Sequence, residues 1–140
     1  MRTELLDVFT GNSQVVDLTD LVAAFCRAAA TSGDGAGDGI GHVFVPHATA
    51  GVALMETGSG SEPDLVATLE RLLPRDDRYR HRHGSTGHGA DHLVPAFISP
   101  SLSVPVAGGR LLLGTWQSIV LVDLNADNPR RHVRLSFLPG

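Results

Sequence analysis

Seven histidines occur in 140 residues, and four of them, His81, His83, His88 and His92, fall within twelve positions. Imidazole is the commonest protein ligand for zinc and related divalent ions, and near neutral pH enough of it is uncharged to bind. His88 and His92 are four apart, so a helical turn puts them on one face. His81 and His83 are two apart, and an extended segment aligns that pair. Either geometry aims two imidazoles at one ion. A catalytic centre needs roughly three such ligands and an open position. The spacing H-x-H-x4-H-x3-H matches no standard zinc signature, and the alternative is a hydrophilic loop that carries histidines and arginines.

Three further groupings bear on chemistry. His47-Ala48-Thr49-Ala50-Gly51 follows an apolar run. Small residues there let a ligand approach the backbone, and Thr49 can donate to an anion. His47 taken alone also reads as a structural histidine. Gly114-Thr115-Trp116-Gln117-Ser118 lies between apolar segments. Trp116 is either a core plug or a pocket wall, with Gln117 free in the second case to bond a ligand. Arg75, Arg78, Arg80 and Arg82 surround the histidines. They form either a solvated loop or a funnel for phosphate, which guanidinium binds in bidentate fashion.

The elements that must position these groups follow from periodicity and punctuation. Leu5 to Thr10 reads as a strand and 11–13 as a turn. Asp17 or Thr19 can cap a helix in which Leu21, Val22, Phe25, Ala28 and Ala29 face a core. Cys26 near that face reads as a small buried hydrophobe. Residues 32–41 read as a flexible Gly/Asp linker. His42 to Pro46 and Gly51 to Glu56 read as strands. Ser61 can cap a second helix, with Asp64 completing a Ser-x-x-Asp box, Leu65, Leu69 and Leu72 as its buried stripe, and Pro74 as its stop. Residues 75–90 are too polar for a core element, and 90–97 read as a short helical turn. Leu102 to Val106, Arg110 to Leu113, Ile119 to Leu124 and His132 to Leu138 read as strands, the first two joined by a tight Ala-Gly-Gly turn. The expectation is one α+β domain over residues 1–140, with two main helices on a largely antiparallel sheet.

Composition narrows the function. With 42% hydrophobic and 19% charged residues the chain is globular. A net charge of −4 argues against a general nucleic-acid binder. All eleven basic residues are arginine, so Schiff-base and P-loop lysine chemistry are excluded. No apolar run approaches the roughly 20 residues that span a membrane. The single cysteine and an N-terminus without a signal-peptide pattern point to a reducing, cytoplasmic setting.

Taken together, several segments resemble a known family. They are His47-Ala-Thr-Ala-Gly51 with Glu56, Glu62-Pro63-Asp64, Tyr79-Arg-His81, Gly89-Ala-Asp-His-Leu93, Pro100 to Val106, and Gly109-Arg-Leu-Leu-Leu-Gly-Thr-Trp-Gln117. These are similar to the signatures of the YjbQ-like, or secondary thiamine-phosphate synthase, family, and the resemblance covers nearly the whole chain. It implies a β-sandwich-like α+β fold, a homotrimer and a metal pocket built from histidines. It also implies a weak thiamine-phosphate synthase activity that joins a pyrimidine diphosphate to a thiazole phosphate. His47, His81 and His92 fall on the family's histidine positions, and Glu56 and Gln117 on its polar pocket positions. Two stretches depart from the pattern. Ala48-Thr49 stands where Thr-Ser is usual, and Ser85-Thr86-Gly87-His88 replaces a commonly acidic stretch, which adds His88 as a candidate ligand.

The combined expectation is a metal-dependent enzyme on a phosphorylated or anionic small molecule. His47, His81, His88 and His92 would hold a divalent ion, zinc being the expected one. That ion would act as a Lewis acid or lower the pKa of a bound water. Glu56 is the candidate general base, and Asp91 a weaker one that could orient a ligand histidine. Gln117 and Thr49 would position substrate, and His83 is a bystander. The alternative is a non-catalytic trimeric module that captures a metal and a small anionic metabolite.

Overall fold

The structure is a computed structural model of the chain, and it describes residues 1–31 and 37–140. Most of the proposed Gly/Asp linker, residues 32–36, lies outside the described residues.

Among the described residues eight strands form two antiparallel sheets. They are β1 (Arg2–Phe9), β2 (Val15–Asp17), β3 (Gly39–Phe44), β4 (Ala50–Met55), β5 (Ser101–Ala107), β6 (Arg110–Leu111), β7 (Ser118–Asp123) and β8 (Arg130–Pro139). One sheet has the order β1-β8-β3-β5-β6 and the other β2-β7-β4. Two long helices, α1 (Thr19–Ala30) and α2 (Ser61–Leu72), are joined by two single-turn helices, α3 (His88–Asp91) and α4 (Val94–Phe97). The fold is α+β, as the patterning implied.

β7 explains the layering. Ile119 and Leu121 face a core shared with α1 and the five-stranded sheet. Val120 and Val122 face a second core under α2, α3 and α4. All four are fully buried. A strand buried on both faces must be apolar at every position, so it reads as an unbroken run. β8 has only one core face along most of its length. Val133, Leu135 and Phe137 point inward between exposed Arg134 and Leu138.

Several local expectations need correction. β2 is a three-residue strand with no periodicity long enough to read. In α1 the buried face is Val22, Phe25, Cys26, Ala29 and Ala30, while Leu21 is 49% exposed and Ala28 is also exposed. Asp17 holds the start of α1, accepting the Thr19 N–H at 2.8 Å and the Thr19 hydroxyl at 2.6 Å. The start of α2 is not capped by Ser61. Gly60 at φ 93° takes that position, and the Glu62 carboxylate reaches back to the Gly58 N–H at 2.8 Å. Leu69 and Leu73 are the buried leucines of that helix, and Leu72 is 53% exposed. The second arm of the β5–β6 hairpin is only Arg110–Leu111. Its turn residues, Gly108 and Gly109, both have positive φ, which a two-residue hairpin turn favours. Cys26 is fully buried and burial pushes its thiol pKa up, consistent with an inert packing role.

Candidate metal centre

The polar segment after α2 folds back onto the C-terminal end of β7. One side-chain nitrogen from each of His81, His83, His88 and His92 lies within 4.8 Å of the others. Each is placed by a separate local cause. α3 brings His88 and His92 onto one side of a helical turn, with their Nε2 atoms 3.0 Å apart. The segment carrying His81 packs on this turn at Gly89, where an added Cβ would lie 2.7 Å from the His81 carbonyl and 2.9 Å from Tyr79 Cβ. His83 is delivered by Gly84, whose φ is 80°. A Cβ on Gly84 would meet His88 Nδ1 at 2.6 Å and Asp127 Oδ2 at 2.8 Å, so only glycine lets the loop pass this close.

The supporting residues come from the turn after β7. Asp127 lies 2.7 Å from His88 Nδ1, which leaves Nε2 as the ligating nitrogen. Such carboxylate–histidine pairs orient metal ligands and raise their basicity. Asn125 sets this turn by accepting the Asp127 and Asn128 N–H groups at 3.0 and 3.2 Å, an Asx arrangement. The Ser85 N–H, then the Ser85 hydroxyl and His88, hold Asp127 below the usual carboxylate range.

The donor set fits a divalent ion. Tetrahedral Zn–N bonds of about 2.0–2.1 Å place ligand nitrogens roughly 3.3 Å apart. The observed separations, from 3.0 Å to at most 4.8 Å, need only small rotations to reach that value. Desolvation, with the neighbouring imidazoles adding repulsion, holds His81 and His92 below the ordinary histidine pKa. The shift favours the neutral, metal-binding form of both rings. A small polar cavity of about 140 Å³ opens beside His81 and His83, and Asp76, Asp77 and Arg82 also line it.

The remaining candidates are placed elsewhere. Asp91 is fully buried and ion-paired with Arg75, and it accepts from the Asn125 amide at 2.9 Å. Among the described residues its hydrogen-bond and ion-pair partners are Arg75 and Asn125, and no hydrogen bond joins it to a histidine ring. His47 lies at the same end of the strands but outside the four-histidine group. Its Nε2 accepts the His132 N–H at 2.8 Å, and its ring stacks on that of His132. Burial and then Arg131 lower its pKa. Thr49 is also buried, accepting from Arg131 Nη2 at 3.0 Å. Arg131 in turn chelates Asp123 at 2.7 and 2.8 Å. Glu56 and Gln117 flank the opposite end of the β4–β7 ladder, where Met55 pairs with Ser118. At about 3.3 Å per residue that is on the order of 20 Å from the histidines. Gln117 Oε1 accepts the Gly114 N–H at 2.8 Å, and Trp116 is 73% exposed, so it is not a core plug in the single chain. Two of the four arginines are tied up in ion pairs, while Arg82 lines the cavity and Arg80 is exposed. Arg75 is held by Asp91, Arg78 by Asp76, and Arg82 Nε donates to the Tyr79 carbonyl.

Residues 4–140 match the family model described as UPF0047 protein YjbQ-like. The chain belongs to the YjbQ/UPF0047 family. A UPF0047 protein of Mycobacterium tuberculosis is 69% identical over 140 residues, the full length of both chains. Among solved YjbQ-like structures, a hypothetical protein from Aeropyrum pernix K1 superposes with a TM-score of 0.86 at 33% identity, covering all of both chains. A YbjQ-like protein of unknown function from Sulfolobus solfataricus P2 gives 0.83 at 25% identity over 99% of each. Family membership accounts for the breadth of the sequence resemblance and for the two-sheet fold.

Sequence reasoning missed Asp127 and Asn125, which sit between the strands read at Ile119 to Leu124 and His132 to Leu138. The signal was three Asx residues in four positions after a buried strand. It also set aside His83, which the loop in fact packs among the other three rings.

Proposed function

We propose that this protein is a metal-dependent enzyme acting on a phosphorylated small molecule, with His81, His88 and His92 holding a divalent ion, zinc first among candidates. The observation that carries this reading is the convergence of these imidazoles beside a polar cavity, with His88 oriented by Asp127. When bound, the ion supplies Lewis acidity toward an anionic oxygen, including that of a departing pyrophosphate. The chain's own residues set the geometry of the site. Asp127 and Asn125 fix His88, α3 fixes His92, and the cavity admits a group from solvent. A cavity of about 140 Å³ is small beside the 300–1,000 Å³ typical of whole-ligand sites, so it takes the phosphate end of a substrate.

The family resemblance names thiamine-phosphate synthesis as the reaction to try first. The thiazole nitrogen would form a C–N bond to the pyrimidine methylene carbon, and the C–O bond to pyrophosphate would break. The test is purified, metal-loaded protein incubated with both substrates and with a panel of phosphate esters. Product that disappears in His92→Ala supports catalysis. Metal and phosphate binding without turnover supports the alternative, a metal- and metabolite-binding module. One observation favours that alternative: Glu56 and Gln117 lie on the order of 20 Å away, and Asp91 is locked to Arg75.

A homotrimer fits this arrangement. The outer face of the five-stranded sheet exposes Leu5, Ile40, Phe44 and Leu138, and Trp116 projects from the end bearing Gln117. A neighbouring copy could bring Glu56 and Gln117 to the histidines, and sedimentation of the purified chain tests the assembly. No helix among the described residues is long and apolar enough to cross a membrane. With its one cysteine buried, the chain suits the cytoplasm.

A further inference from the structure

We infer that His83 is the fourth ligand of this centre, and that it closes the coordination position through which an anionic ligand must enter. The inference rests on the metal reading above and adds a residue and an order of events to it.

Four facts carry it. The His83 ring lies 4.1 Å from that of His81 and 4.7 Å from that of His88, so it is packed into the group rather than lying loose on the loop. Gly84 makes that approach sterically available. The His83 ring is 6.1 Å from that of His92, the widest spacing among the four rings, and His83 is exposed, as His81 is, whereas His88 and His92 are half-buried. Finally, the polar cavity is lined by His83 together with His81, and by neither His88 nor His92.

Four imidazole ligands saturate a tetrahedral ion, and a saturated site has no place for substrate. His83 lines the cavity, and among the described residues no hydrogen bond holds its ring. His88 by contrast is fixed by Asp127, and the His81 main chain is wedged against Gly89. His83 is therefore the ligand that leaves. The incoming class is a small oxyanion, phosphate or the phosphate end of an ester. It exchanges an oxygen for the imidazole nitrogen with no covalent change in the protein.

The test loads the full chain with Co(II) and titrates inorganic phosphate, comparing wild type with His83→Ala and His83→Gln. Wild type should bind one equivalent with the intense visible absorption of a four-coordinate nitrogen site. Both variants should keep one equivalent at saturating Co(II), with weaker, shifted absorption. Phosphate should perturb their spectra at a concentration at least tenfold below that needed for wild type. If wild type binds no Co(II), the metal reading itself fails. If wild type binds and the variants match it in absorption and phosphate response, the metal reading stands and the role of His83 is overturned. Far-UV circular dichroism of each variant separates either result from unfolding.

Discussion

Asp91 is a candidate general base from the sequence, and its partner Arg75 is the place to test whether its role is catalytic or structural. Asp91 is fully buried, and its charge is balanced by Arg75, whose side chain is 22% exposed. Replacing Arg75 with Met leaves a buried carboxylate with only the Asn125 amide as partner. Breaking a buried pair from one side costs about 3–5 kcal/mol, because the remaining charge stays out of water uncompensated. That is a large part of the roughly 5–15 kcal/mol that holds a domain folded. At about 2–4 °C per kcal/mol for a chain near this size, the thermal midpoint should fall by about 6–20 °C. Urea denaturation of wild type, Arg75→Met, Asp91→Leu and the double variant gives the coupling directly. The double variant should be less destabilised than Arg75→Met, since removing both charges removes the unpaired one. If Arg75→Met loses less than about 0.5 kcal/mol, the structural assignment of Asp91 fails and its candidacy as a proton-transfer group reopens.

Other consequences can be checked with the same denaturation assay. Leu121 is fully buried in β7, so Leu121→Ala should cost about 3–5 kcal/mol, and a cost below about 1 kcal/mol would contradict the packing. Gly51→Ala would push a methyl group onto the Ile98 carbonyl, and a loss of at least about 1–3 kcal/mol is expected. His47, His81 and His92 have folded pKa values below their unfolded value of 6.5. The folded metal-free protein therefore binds fewer protons than the unfolded chain in this range. Its stability should be full above about pH 6.5 and fall as the pH drops through the lowered values, and a midpoint unchanged between pH 7.5 and 5.5 would refute this.

Much of the fold was legible because its strands obey simple burial rules. β7 is apolar from Ile119 to Val122, where both faces are covered, and β8 alternates along the stretch where one face is. The helix ends were less legible. Gly60 in the left-handed region takes the N-cap position and its carbonyl accepts the Asp64 N–H at 3.2 Å, while the Glu62 carboxylate accepts the Gly58 N–H ahead of the helix, so the expected Ser61–Asp64 box does not form. Helical spacing also placed Leu21 and Leu72 on buried faces, yet both are about half exposed, since periodicity defines a stripe but not its edges. At the site, the histidine cluster was visible as a local density of one residue type. Its reliance on Asp127 was not, because a partner 39 positions away leaves no local spacing to read. The grouping of His47 with the cluster, and of Glu56 and Gln117 with it, came from resemblance. A single chain holds His47 against His132 and the other two at the far end of the β4–β7 ladder.

The most direct test of the account is elemental analysis of the purified protein beside a His88→Ala/His92→Ala variant. The account predicts one divalent ion per wild-type chain, and none in a variant that keeps its far-UV circular dichroism. Wild-type protein that takes up no divalent ion after incubation with zinc, or a folded variant that retains a full equivalent, would contradict it.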